Sequence, residues 1–183
     1  MFTEREQHEL RKMLDERQIY KVLIAYCRAM DRADREGLLK VYHPGAIEDH
    51  GPFKGPADEF VAFALKSIAG SEPGWPPIRW QAHHICNVLI EFSDDKTAKV
   101  ESSFIYGYRL DDDEEQDTYF FARYLDVFKK RPDWRIQDRR VVLDNLFDMA
   151  SSTRDDEFRR SFLKGSKGKA DPLYAFLSQE EQD

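Results

Sequence analysis

The sequence predicts an α+β fold: helices first, then one curved antiparallel sheet with those helices on its concave side. Three observations carry this. Apolar residues recur at helical spacing through the N-terminal part, the period becomes strand-like near Arg79, and short polar turns separate four long strand segments.

Thr3 followed by Glu6 has the form of a capping box and opens the first helix. Leu10, Met13, Leu14, Ile19, Val22, Leu23, Tyr26 and Met30 continue it at spacings of three and four, an apolar stripe that needs a packing partner. A break over Asp31 to Arg35 leads to a second helix, Glu36 to Tyr42, closed by Pro44-Gly45. "AIEDH" reads as a short strand ended by the turn cluster "GPFKGP". Ala57 to Ala69 is a third helix stopped by Gly70, and "SEPGWPP" is a loop. Strands follow over Arg79–Phe92, Lys96–Leu110, Thr118–Phe128 and Trp134–Asp144, joined by "SDDK", "DDDEEQD" and "KKRPD". Residues 1–149 form one domain. Residues 150–183 are a tail with weak helical signals, read as a pocket lid or an oligomer contact.

Composition bounds the function. With 41% hydrophobic and 34% charged residues, the 183-residue chain is an ordinary globular domain. Its net charge of -7 and interleaved bases argue against a nucleic-acid partner or an anionic membrane surface. No apolar run approaches the ~18 residues of a membrane span, and "MFTEREQHELRKM" lacks the apolar core of a signal peptide. Cys27 and Cys86 fall within predicted elements and read as buried free thiols, so the expected compartment is the cytoplasm.

The chemistry candidates gather around "WQAHHICNVLIE". Strict alternation places His83, Ile85, Asn87 and Leu89 on one face and His84, Cys86, Val88 and Ile90 on the other. A histidine on such a strand is ordinarily a core or surface residue. Spacing leaves open which of His83 and His84 faces inward. His43, Asp49, His50 and His83 are ligand types, but they lack metal-site spacing, and neither metal nor cofactor is expected. Asp31 ends the first helix, where a carboxylate is disfavoured by the helix dipole, whereas Asp34 suits the next helix as its cap. An aspartate beside a buried neutral histidine makes a general base, and Tyr26 lies close enough in sequence to join it. The tyrosines of the strands are explained equally well by sheet propensity.

"IYKVLIAYCRAMDRADREGLLKVYHPGAIEDHGPFKG", "HHICNVLIE", "AKVESSF", "YLDVFKKRPDWRI" and "RRVVLDN" together resemble the SnoaL-like branch of the nuclear transport factor 2-like superfamily. The resemblance covers about residues 10–148. It implies a cone, in which a strongly bent antiparallel sheet wraps around three helices and leaves a pocket at its open end. The chain is similar to scytalone dehydratase, bile-acid 7α-dehydratase and lindane dehydrochlorinase, and the resemblance implies a catalytic set of Asp31, His83 and Tyr26. It places His83 in the cone and His84 outside or at an oligomer contact. His50, Asn87, Tyr108, Tyr124 and Phe53 are implied as substrate-binding residues.

The expected function is a cofactor-free lyase. Asp31 polarises His83, which takes a proton from a hydrophobic, aromatic or polycyclic small molecule, with dehydration, another β-elimination or retro-aldol release as the outcome. An isomerase or cyclase using the same base is the first alternative. A non-catalytic binding protein or structural subunit is the second. A homodimer or homotrimer is expected, joined through convex faces that present Val88 and Ile90.

Overall fold

The computed structural model describes residues 2–71, 74–111, 116–150 and 157–178. Thr3 caps helix α1 (Glu4–Asp31) through the expected box: its side chain accepts from the Glu6 N–H while the Glu6 carboxylate reaches back. Only the C-terminal half of α1 is buried, through Ile19, Leu23, Tyr26, Cys27, Ala29 and Met30. Leu10, Met13 and Leu14 are exposed because the helix overhangs the narrow end of the sheet, where Asp15 pairs with Lys130 at 2.6 Å. Asp34 caps α2 (Arg35–Val41), accepting from the Gly37 N–H at 3.1 Å. The chain is extended from Tyr42 onward, as Pro44 requires of the residue before it. Pro44-Gly45 therefore lies inside β1 (Tyr42–Asp49), where Gly45 adopts φ 74° at a register irregularity, and does not close α2 as its sequence suggests.

Strand β2 (Lys54–Pro56) pairs back on β1, and α3 (Ala57–Ile68) packs Phe60, Val61, Ala64 and Ile68 into the core. Four long strands follow: β3 (Ile78–Asp94), β4 (Thr97–Leu110), β5 (Gln116–Lys130) and β6 (Trp134–Ala150). They form an antiparallel meander, and the sheet order is β2-β1-β6-β5-β4-β3. One pairing departs from the expected antiparallel sheet: β1 runs parallel to β6, so the six-stranded sheet is mixed.

Residues opposite one another in a ladder share a face, so pairing register defines layers across the inside of the cone. The narrow end carries Phe92, Ala98, Phe128, Ile136 and Tyr42. Next come Ile90, Val100, Asp126, Arg139 and Glu48, then Val88, Ser102, Tyr124 and Val141. Above them lie Ile85, Phe104, Ala122 and Leu143, and then His83, Tyr106, Phe120 and Leu146. The helices fill the lower layers. Towards the wide end they leave Leu143 and Leu146 half exposed on the concave wall.

These layers correct the reading of strict alternation along β3. Between Ile85 and Val88, β3 advances three residues while β4 advances two, from Phe104 to Ser102. The extra residue is a β-bulge, and it reverses the facing of everything beyond it. Asn87 is therefore exposed outside the cone, on the face opposite to the one expected of a substrate-binding residue. Val88 and Ile90 turn inward against the core, so they are not the expected oligomer contact, while Leu89 is exposed. The convex face instead presents Phe121 and Phe147, stacked at 5.7 Å, together with Leu89 and Leu125.

Cys86, on the outer face with His84, is exposed, contrary to the expectation of two buried thiols, whereas Cys27 stays buried. Burial pushes the Cys27 thiol up to about 12. A thiol-specific reagent should label one cysteine of the native protein rapidly and the second only on unfolding. Two fast equivalents would contradict this placement.

The tail contributes α4 (Glu157–Arg160), a 3₁₀ turn at Gly168–Ala170 and α5 (Pro172–Leu177). Residues 167–174 fold back on the α1–α2 turn. The Gly168 N–H donates to the Arg32 carbonyl at 2.7 Å, Arg32 pairs with Asp171 at 3.1 Å, and the Tyr174 hydroxyl reaches Asp34 at 3.2 Å. The centre of the acidic "DDDEEQD" tip lies outside the described residues. No helix among them is long and apolar enough to cross a membrane.

Candidate active site

Asp31 closes α1 at the wide end of the cone, and β3 runs past it. The contradiction between this carboxylate and the helix dipole is resolved by donors from the strand. Asp31 accepts from the His83 backbone N–H at 3.1 Å through each oxygen and from the His83 ring at 2.6 Å through Oδ1. Nδ1 is the ring atom in that bond. Since an ionised carboxylate only accepts, Nδ1 carries the hydrogen, and in the neutral ring Nε2 is left with its lone pair.

The ring is held from three sides. Tyr106 stacks on it at 4.1 Å, Phe104 lies tilted at 6.2 Å, and Tyr26 meets it edge-on at 6.4 Å. Gln81 ties strand to helix: its side-chain amide donates to the Met30 carbonyl at 2.7 Å, and its carbonyl accepts from the Tyr106 hydroxyl at 2.9 Å. The Met30 carbonyl also accepts from the Arg32 and Ala33 N–H groups, so the Gln81 bond ties an already capped helix end, and with it Asp31, to β3. Burial, the larger influence, lowers the basicity of His83, while the Asp31 hydrogen bond and charge oppose it. An enclosed imidazole with a carboxylate on one nitrogen and a free lone pair on the other is a competent proton acceptor. His84 points outward and is exposed.

Tyr26 is brought beside the dyad, but it is fully buried and its hydroxyl has no hydrogen-bond partner. Its ring packs on the Arg139 guanidinium at 4.2 Å, with Tyr124 on the same guanidinium at 3.9 Å. Burial drives both tyrosine hydroxyls to higher pKa, so they remain protonated. Tyr124 is likewise fully buried, within the core and not on an open wall. Tyr108 stacks on Tyr106 at 5.3 Å, one layer further toward the mouth. Phe53 stacks on Phe63 at 5.5 Å and leans on Phe60, whose other contact is the His50 ring at 4.7 Å. His50 in turn bonds the buried Glu48 through Nδ1 at 2.8 Å.

Several functional candidates were invisible to motif reading. Phe120, Leu143 and Leu146 complete the concave wall around His83, a role that only cross-strand register shows. Arg139 and Asp126 form a two-bond ion pair at 2.8 and 2.7 Å, both fully buried below Tyr26. His43 Nε2 donates to the Lys129 carbonyl at 2.8 Å, away from the dyad. Among the described residues no three His, Cys, Asp or Glu side chains come together as a metal site would need. A separate open groove of about 630 Å³ lies at the other end of α1, between His8, Lys12, Asp15, Phe92 and Lys130. It is charged and contains neither dyad residue.

Known proteins of the same shape share this architecture. A provisionally named scytalone dehydratase from Novosphingobium aromaticivorans superposes with TM-score 0.65 at 19% identity, over 79% of this chain and 92% of that one. The structure of LinA gives 0.67 at 15% identity, over 81% and 98%. A type 3 LinA hexachlorocyclohexane dehydrochlorinase from Novosphingobium barchaimii gives 0.67 at 13%, over 81% and 99%. No curated protein matches the sequence significantly. The SnoaL-like domain matches residues 11–140, from the first third of α1 into β6. With most of its length so matched and its cone shared with these enzymes, the chain belongs to the SnoaL-like family of the nuclear transport factor 2-like superfamily, whose members act on small molecules.

Proposed function

We propose that the protein is a cofactor-free lyase acting on a hydrophobic, ring-bearing small molecule, with His83 as general base and Asp31 as its orienting carboxylate. The observation that carries this reading is the 2.6 Å bond from His83 Nδ1 to Asp31, which leaves Nε2 free on a wall of Tyr106, Phe120, Leu143 and Leu146. Base-initiated elimination needs this combination: an acceptor of near-neutral basicity, an apolar surface for the substrate skeleton and shelter from water. His83 takes a proton from the carbon beside an activating carbonyl or ring. The electron pair moves into the new double bond, and the leaving group departs with its own pair.

The likeness in shape to a dehydratase and to dehydrochlorinases supports elimination over isomerisation. Product mass decides between the readings. When the protein is incubated with ring-bearing β-hydroxy and β-chloro ketones, elimination lowers the mass by water or hydrogen chloride. Retro-aldol cleavage splits the molecule, and isomerisation leaves the mass unchanged. Unaltered starting material across the panel, with binding retained, would favour a binding protein and sink the lyase.

A further inference from the structure

We infer that Glu48 and His50 form a second ligand-facing pair, in which Glu48 locks the His50 ring so that Nε2 accepts a hydrogen bond from a hydroxyl on the ligand. This rests on reading the concave space as the substrate cavity, and it narrows the substrate class to ring compounds that carry a phenolic or enolic hydroxyl.

The geometry begins with parity along β1. Glu48 stands on the inner face, opposite Arg139, and His50 lies two residues on, directed inward against Phe60. The Glu48 side chain is fully buried and both its oxygens are engaged: Oε1 with His50 Nδ1 at 2.8 Å, Oε2 with the Tyr42 hydroxyl at 2.8 Å. A carboxylate accepts, so Nδ1 donates, and the neutral ring presents Nε2 as an acceptor. With Nδ1 taken by Glu48 and one ring face covered by Phe60, the His50 side chain is still 29% exposed, which leaves part of the ring for a ligand to reach.

Tyr42 meets Tyr26 edge-on at 6.3 Å, and Tyr26 meets His83 at 6.4 Å, so the two imidazoles flank one layer of tyrosines. They are close enough to interact electrostatically. The groups around His50 are Glu48 and Tyr42 from β1, Arg139 from β6, His83 from β3 and Phe60 from α3. Beside it the wall is Phe53, Phe60 and Phe63. A lone polar acceptor on an aromatic wall discriminates strongly, because a ligand that offers no donor leaves it desolvated and unpaired.

Binding of 1-naphthol and of 1-methoxynaphthalene, which keeps the rings but loses the donor, tests this. Both are followed by the imidazole nitrogen signals of histidine-labelled protein. Wild type should bind the naphthol about tenfold more tightly, the value of one hydrogen bond. The preference should vanish in His50→Phe, and in Glu48→Gln it should shrink as the His50 tautomer becomes mixed. Equal binding of the two rings by wild type, or an unchanged preference in His50→Phe, overturns the inference. So does a wild-type His50 with Nδ1 unprotonated. A Glu48→Gln protein that fails to fold does not blunt the test, since the wild-type tautomer and the His50→Phe comparison decide it. If neither ring binds, the ring-cavity reading itself falls, and that outcome is distinct from equal binding.

Discussion

Substituting His83 with alanine should lower turnover of any substrate found by about 10²–10⁴-fold, the usual contribution of a positioned general base, while leaving the circular-dichroism spectrum unchanged. Asp31→Asn should fall in the same range, because an amide neither fixes the Nδ1–H tautomer as firmly nor stabilises the imidazolium formed on proton transfer. Activity within tenfold of wild type in either variant would remove the mechanism. The pH profile gives an independent check. Burial lowers the basicity of His83, so its lone pair is available throughout the neutral range. The rate should decline only below the ordinary imidazole value of about 6.5, where Nε2 takes a proton. Asp31 opposes that lowering, so Asp31→Asn should displace the acid limb further downward. Stability carries the same sign. The unfolded chain binds this proton more readily than the folded one, so the contribution of His83 is complete above about 6.5 and is lost as the pH falls toward its depressed folded value. A limb that moves upward in Asp31→Asn would show that the two groups are not coupled as the geometry requires.

The second large effect concerns stability. Asp126→Ala should cost about 3–5 kcal/mol, since it leaves the Arg139 guanidinium charged and enclosed with no counterion in bonding contact. Both side chains are fully buried, and the two bonds between them are short. Tyr26 and Tyr124 hold the guanidinium by cation–π contact, and neither supplies the negative charge that Asp126 does. A loss of this size is a large share of the ~5–15 kcal/mol net stability of a domain and should be plain in urea unfolding. Replacing the pair together, Asp126→Leu with Arg139→Met, should recover most of it, because two buried charges are then removed at once. A single-variant loss below about 1 kcal/mol would mean that water reaches the pair, and the enclosed core below the dyad would have to be redrawn.

How much of this was legible beforehand depended on whether the signal was local. The capping box of Thr3, the Asp34 cap and the periodicity of α1, α3 and β3–β6 are local, and each element formed where its residues indicated, except that β6 continues past Asp144 to Ala150. The pairing of Asp31 with His83 spans 52 positions and was legible only through the family resemblance. Pro44-Gly45 misled because two residues that commonly end helices here bend a strand. Asn87 misled because alternation has no memory of an inserted residue. Arg139 and Glu48 carry no local signal of burial, and parallel pairing of β1 with β6 is what sets them side by side in the interior.

That inserted residue at Cys86-Asn87 works as a frame setter for the longest edge of the sheet. Upstream of it, parity puts His83 beside Asp31; downstream, parity puts Val88, Ile90 and Phe92 in the core. The two halves are out of phase by one step, and a chain without the insertion could satisfy only one of them. A lineage that lost the residue would keep either the base or the oily floor beneath it. Chemistry and foldability in this cone are therefore coupled through backbone phase, a quantity that no single side-chain substitution can alter.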